Sequence, residues 1–275
     1  MTEQAGLETR DLWFSYQNGE AALRGVSVAI RPGEFVAVIG QNGSGKTTLA
    51  KHFNGLLRPS QGQVLLDGRD TSEMTVGALA RSVGYVFQNP DHQIFSPTTR
   101  EEIAFGPTNL GLTPEQVAKN TQDALNCFNL LPYADRQPAL LGYGLRRKVS
   151  IAAVYAMHTP YLVLDEPTTG LDHKSITELM QLLLRLNRQG RTIILITHDM
   201  RVVTEYVPRC MVVREGQLLA HDDTRSVFTR YDLLKSTSIA VPQVCELGRR
   251  MAAHGMRDGV LTVSEFCDRY AELRS

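Results

Sequence analysis

The sequence has no apolar run long enough for a bilayer, no closely paired cysteines and no excess of either charge. Its longest clearly apolar stretches, such as Thr192 to Thr197 (TIILIT), fall far short of the roughly 18–20 residues a spanning helix needs. The four cysteines, Cys127, Cys210, Cys245 and Cys267, form no C-x-x-C pair. That spacing argues against a zinc cluster or a redox motif, and scattered thiols fit a reducing compartment as inert side chains. Lys+Arg and Asp+Glu both number 29, for a formal net charge of zero. Such a balance gives no broad field for binding nucleic acid. There is no internal repeat and no low-complexity segment. The opening residues, MTEQAGLETR, have no apolar core, so no secretory signal is expected. What remains is an ordinary globular composition, 43% hydrophobic and 21% charged over 275 residues. That is one or two domains' worth of chain, long enough to bury a substantial core.

Along the chain, short apolar runs alternate with helical patterns. Residues 34–39 (EFVAVI) read as a strand, followed by a Gly-rich turn and a helical stretch, TTLAKHFN. Residues 63–70 (QVLLDGRD) read as a strand ending in an Asp-Gly hairpin turn. Residues 161–165 and 192–197 are further buried strands. Between them Ile176, Leu179, Leu182, Leu183 and Leu186 recur at helical spacing. Continuous apolar strands separated by amphipathic helices predict a mostly parallel sheet covered on both faces. Residues 98–157 hold several helical stretches and no convincing strand, the texture of an inserted helical subdomain. Residues 210–220 return to strand-turn-strand. From about 225 the chain reads as short helices, one started by Pro242 and another stabilised by Phe266 and Tyr270.

Residues 40–47, GQNGSGKT, fit G-x-x-x-x-G-K-[ST] between a strand and a helix. Gly40, Gly43 and Gly45 let the backbone turn and aim N–H groups at phosphate oxygens, and the helix adds its positive end. Lys46 is the point charge for β- and γ-phosphates, and Thr47 offers a hydroxyl to Mg²⁺. Asn42, Ser44 and Thr48 complete the expected nucleotide-binding loop. Downstream, YLVLDE ends a strand in two carboxylates, expected at the same sheet edge. Asp165 would hold Mg²⁺ through water, and Glu166 would polarise the attacking water.

On these ordered motifs the chain resembles the ATP-binding cassette (ABC) ATPases, over about residues 7–225. The resemblance implies an α/β fold: a P-loop NTPase core with an antiparallel β portion, an inserted helical subdomain and a C-terminal helical extension from 226 to 275. It implies ATP and Mg²⁺ as cofactors, and it gives further residues their roles. Tyr16 would stack on adenine. Gln88, in YVFQNP, would be the Q-loop glutamine that reaches Mg²⁺ and the attacking water. Gly170, Leu171 and Asp172 match the D-loop at the dimer interface, although Asp172 also reads as a helix N-cap. His198, after the TIILIT strand, matches the switch histidine that contacts the γ-phosphate. One motif departs. The family's signature loop usually reads L-S-G-G-Q, and here Leu141, Gly142, Tyr143, Gly144 and Leu145 occupy it. Gly144 is kept. Gly142 replaces the serine whose hydroxyl contacts the γ-phosphate on the partner subunit.

Two stretches narrow the resemblance. FQNPDHQIF with EEIAFGPTNLGL, and the tail VPQVCELGRRM, are similar to the ATPases of energy-coupling factor (ECF) transporters, including the cobalt and nickel branch. That implies an importer of a vitamin or a transition metal ion. It implies a second cassette as partner, with a heterodimer favoured. It also implies a membrane coupling subunit, a substrate-binding membrane subunit, no nucleic acid, and a peripheral place on the cytoplasmic face of a prokaryotic cell membrane. Other readings stay open. One is the ATPase of a conventional importer, and another is a weakly hydrolysing regulatory subunit, suggested by the altered signature. A non-transport cassette protein is a further reading, against which stand the single cassette and the absence of room for a long coiled coil between Lys46 and Leu141.

Overall fold

Alternate residues of one strand feed two different cores. Phe35, Ala37 and Ile39 join one buried cluster, while Val36 and Val38 join another on the opposite face. Such a strand is apolar throughout because both faces are covered. The computed structural model describes residues 6–17 and 19–274. Its element order is β1 (Leu7–Ser15), β2 (Ala21–Ile30), β3 (Phe35–Ile39), α1 (Lys46–Phe53), β4 (Gln61–Leu66), β5 (Arg69–Asp70), α2 (Val76–Ala80), β6 (Val83–Val86), α3 (Thr99–Asn109), α4 (Pro114–Cys127) and α5 (Tyr143–Tyr155). Then follow β7 (Tyr161–Asp165), α6 (His173–Arg188), β8 (Thr192–Ile196), α7 (Met200–Tyr206), β9 (Arg209–Arg214), β10 (Gln217–Asp223), α8 (Thr224–Phe228), α9 (Tyr231–Ser236), α10 (Gln243–Met251) and α11 (Val263–Arg274).

The larger sheet has the order β10-β9-β3-β8-β7-β6 and is parallel except for β10. A separate antiparallel sheet, β2-β1-β4-β5, lies against its second face, sharing a core of Leu12, Val26 and Ile30 with Val36, Val38 and Ile196. The β4–β5 turn has Asp67 and Gly68 both at positive φ, 49° and 80°. This is the backbone that an Asp-Gly hairpin adopts.

Residues 98–157 contain no strand. Thr98 caps α3, and Thr113 with Gln116 forms a reciprocal capping box on α4. Ile103, Leu125 and Val149 of this insertion share the first core with Leu162, Leu164 and Leu195 of the sheet. The C-terminal helices also reach it, through Phe228, Leu234, Cys245 and Leu261. Their outer side is clasped by Arg225 and Glu265, 2.5 Å apart. Phe266 and Tyr270 stack at 6.0 Å. Burial pushes the Cys210 and Cys245 thiols up to about 12 and about 11, which leaves them unreactive. Among the described residues no helix is long and apolar enough to cross a membrane.

Candidate active site

The loop between β3 and α1 is shaped by two close approaches. Gly45, the N-cap of α1, has φ 104°, and a Cβ there would stand 2.6 Å from the carbonyl oxygen of Ala22. A Cβ on Gly40 would meet the carbonyl oxygen of Val213 at 2.2 Å. Both positions therefore require glycine. The unpaired N–H groups of the first turn of α1 open at this loop, with the positive end of the helix behind them. Lys46 is the first residue of α1 and is buried. Its Nζ donates to the carbonyls of Gly40 at 2.9 Å and Gln41 at 2.7 Å. Burial lowers the ammonium pKa, and the charges of Glu166 and Asp165 oppose that shift.

The two carboxylates arrive together at the end of β7, two strands from β3 in the sheet. Asp165 is the last residue of β7, in register with Ile196 at the end of β8. The Glu166 amide donates to the Ile196 carbonyl at 2.9 Å. Tyr85 Oη donates to Asp165 Oδ2 at 3.1 Å. Burial raises the Asp165 pKa, while the hydroxyls of Thr47 and Tyr85 and the charges of Lys51 and Lys46 pull it back. Glu166 holds a left-handed backbone, φ 49°, although it is not glycine. Its Oε1 is hydrogen-bonded to His198 Nδ1 at 2.8 Å. His198 itself is 66% exposed.

One carboxylate oxygen of each acid, Asp165 Oδ1 and Glu166 Oε2, is buried without a hydrogen-bond partner. Both residues line a cavity of about 550 Å³ together with Thr47 and Gln88. Unsatisfied buried carboxylate oxygens beside a hydroxyl and an amide form an all-oxygen donor set, which fits Mg²⁺.

The same cavity brings together most of the nucleotide-binding residues expected from the sequence. Tyr16, Asn42, Gly43, Gly45, Lys46 and Thr48 line it as well. Tyr16 is 42% exposed, its hydroxyl 2.9 Å from Thr48 Oγ1 and its ring edge-on to Phe14 at 5.0 Å. Gly40, Ser44 and His198 are not part of the lining. Ser44 is buried in the loop, and His198 reaches the site through Glu166. Arg24 and Glu215, which sequence reasoning did not single out, stand in the wall. Neither lies in a motif, so no local signal marks them.

The remaining predicted residues lie elsewhere. Asp172 caps α6, accepting from the Ser175 amide at 2.7 Å, and the Ser175 hydroxyl helps hold its carboxyl below the usual range. Gly142 is the N-cap of α5 with no side-chain cap, so the helix start presents backbone N–H groups alone. Tyr143 stays partly exposed at this end, 37% accessible, with its ring against Gly170. Its hydroxyl accepts from Arg147 Nη2 at 3.1 Å. Gly144 sits beside the D-loop, where an added Cβ would stand 3.4 Å from the Gly170 carbonyl oxygen.

The chain matches the ABC transporter family over residues 23–169. It is 40% identical over 262 residues to the energy-coupling factor transporter ATP-binding protein EcfA of Methanothermobacter thermautotrophicus, covering 94% of this chain and 84% of that one. It is 42% identical over 245 residues to a putative ABC transporter ATP-binding protein of Caldanaerobacter subterraneus, covering 89% of this chain but 43% of that longer relative. Among solved structures, cbiO1 of Clostridium perfringens, part of the ABC transporter complex cbiONQ, matches with TM-score 0.74 at 34% identity, covering 89% of this chain and 99% of that one. A bacterial ABC transporter cassette solved as a dimer matches with TM-score 0.73 at 28% identity, covering 79% of this chain and 98% of that one. The chain belongs to the ABC transporter family, as an ATP-hydrolysing cassette. Within that family it is an ATP-binding subunit of the energy-coupling factor type.

Proposed function

We propose that this subunit hydrolyses ATP in a head-to-tail dimer with a second, different cassette, and so drives a membrane coupling subunit that works with a separate substrate-binding membrane subunit. The cargo is a vitamin or a transition metal ion, and the dimer sits on the cytoplasmic face of the membrane. The observation that carries the site is the pair of unpartnered buried oxygens, Asp165 Oδ1 and Glu166 Oε2, facing a cavity floored by the phosphate loop.

In this reading Lys46 and the amides at the start of α1 bind the β- and γ-phosphates, with Tyr16 against the adenine. Thr47, Gln88 and Asp165 hold Mg²⁺, which when bound neutralises phosphate charge in the transition state. Glu166 accepts the proton of the attacking water. His198 keeps one Glu166 oxygen in place and contacts the γ-phosphate. The amides of Gly142, Tyr143 and Gly144 close over the partner's nucleotide, and Asp172 lies at the dimer interface. Because Gly142 brings no hydroxyl, the partner's site is the slower one. Its deficit is one hydrogen bond to a charged group, about 1.5–3 kcal/mol if felt fully in the transition state.

The segment 88–107 receives the membrane subunit. It exposes Phe95, just before the helical insertion, and Phe105 on α3, edge to face at 4.7 Å. A bare aromatic pair of this kind suits an apolar partner helix. Single cysteines placed from Pro90 to Ser96 should cross-link to the membrane subunit in the assembled complex. Cross-links confined to α10 and α11 would overturn the docking face. Transport hurt equally by Glu166→Gln here and by its counterpart in the partner would overturn the unequal sites.

A further inference from the structure

We propose that Arg147 is a positioning residue for Gln88 and that Tyr143 holds it there, so that the signature helix, the D-loop and the Q-loop of one chain move as a single piece. Arg147 lies one turn after Tyr143 on α5 and is fully buried. Among the described residues no carboxylate pairs with it. A buried guanidinium without a counter-charge is costly unless its donors are used. Here both terminal nitrogens are used, chiefly on the Q-loop, while Nε is buried without a partner: Nη1 donates to the Phe87 carbonyl at 2.7 Å, and Nη2 donates to the Gln88 carbonyl. Nη2 also donates to Tyr143 Oη at 3.1 Å, and the guanidinium carbon lies 5.7 Å from the centre of the Tyr143 ring.

Two further links join the same helix to the same loop. Gln93 donates to the Ser150 carbonyl at 2.8 Å and accepts from the Phe87 amide at 3.2 Å. Arg146 pairs with Asp91 at 3.3 Å. On its other side Tyr143 lies against the D-loop, for a Cβ on Gly170 would come within 2.4 Å of its ring. Tyr143 therefore touches the D-loop directly and the Q-loop through Arg147. The glycine usual at its position has no side chain to do either.

The consequence concerns Gln88, which lines the nucleotide cavity while its carbonyl is held by Arg147. A shift of α5, or of the D-loop against Tyr143, moves that carbonyl and with it the amide. This inference rests on the reading of Gln88 as a ligand of Mg²⁺ and water. It accounts for a tyrosine where the family keeps a glycine: the phenol and Arg147 work as a pair.

The test is ATP turnover of the assembled transporter, titrated separately with ATP and with Mg²⁺. Arg147→Gln should lower kcat about tenfold or more and raise the Mg²⁺ needed for half-maximal turnover, as the loss of charged hydrogen bonds predicts. KM for ATP should stay within about twofold, because the phosphate loop is untouched. Arg147→Lys should stay slow, since a single ammonium cannot replace the planar fork on two carbonyls. Tyr143→Phe, which keeps the ring on Gly170, should shift kcat and Mg²⁺ in the same direction but less. Adding Arg147→Gln to Gln88→Ala should cost nothing further. If Arg147→Gln does not fold by thermal melting, Tyr143→Phe and its double variant with Gln88→Ala carry the same comparison. Additive losses, or kcat unchanged in both Arg147→Gln and Tyr143→Phe while Gln88→Ala is damaging, overturn the proposal alone. Wild-type turnover by Gln88→Ala removes the reading of Gln88 as well.

Discussion

Lys46, Asp165 and Glu166 stand on the C-terminal edge of the parallel sheet, whereas Gln88 and Tyr143 are held by the helical insertion. The first group is placed by main chain. Strand register puts Asp165 beside Ile196, and the Glu166 amide is bonded to the same strand. The second group is placed by side chains: Arg147 on the Phe87 and Gln88 carbonyls, Gln93 on Ser150, Arg146 on Asp91. A site fixed by sheet register cannot move without breaking the sheet. One fixed by a few long side chains can turn as a body and still arrive in the same geometry. On the proposed function, the chemistry would be built on the rigid half and the part that answers to partners on the adjustable half.

The sharpest way to probe the rigid half is Glu166→Gln. Turnover should drop by about 10²–10⁴, the usual worth of a general base, while ATP still binds. Phosphate release from the assembled transporter at the wild-type rate would remove Glu166 from that role. Lys46→Ala comes next, with nucleotide affinity expected to fall by about tenfold to a hundredfold as charged hydrogen bonds to phosphate are lost. Calorimetry that finds unchanged affinity would detach Lys46 from the nucleotide.

For the adjustable half, Gly170→Ala should destabilise the fold by about 1–3 kcal/mol, from both the positive φ and the collision with the Tyr143 ring. Tyr143→Ala in the same chain should return the part due to collision. A double variant as unstable as the sum of the singles would mean that the two loops do not bear on each other.

The smallest effect is expected at the C-terminal clasp. The Arg225 guanidinium lowers the Glu265 pKa from 4.5. A lowered carboxyl pKa stabilises the fold above the unfolded value, and the gain is lost as pH falls through the folded one. Both side chains are partly exposed, so Glu265→Gln should cost under about 1 kcal/mol at neutral pH. The difference from wild type should vanish in acid below the carboxylate range. Melting curves that keep a constant gap down to that range would contradict the ion-pair account.

The rigid half was also the legible half. EFVAVI, YLVLD and TIILIT read as buried strands because they are short, nearly continuous apolar runs, and the Asp-Gly turn declared its hairpin. Apart from that hairpin, which is β4–β5, the antiparallel sheet was reached only through the family resemblance. The β1–β2 pairing has register shifts between Thr9 and Leu12 and again around Phe14, and Asp11 has φ 45°. These irregularities blur the period of two that marks a half-buried strand. Arg147 was invisible for a different reason. It stands between Arg146 and Lys148, and three consecutive basic residues look like a solvated helix face. Only packing against the Q-loop shows that the middle one is buried. The altered signature was legible as a loss, a missing serine, but not as the gain of a phenol that touches Arg147 and Gly170.

The left-handed backbone of Glu166 carries one more implication, for how such a protein can change. A non-glycine residue at φ 49° costs on the order of 1 kcal/mol that glycine would not. Its buried Oε2 without a partner adds to that. Glu166→Gly would therefore relax the chain and silence it at the same time. Selection for heat resistance alone would drift toward that variant and away from the working enzyme.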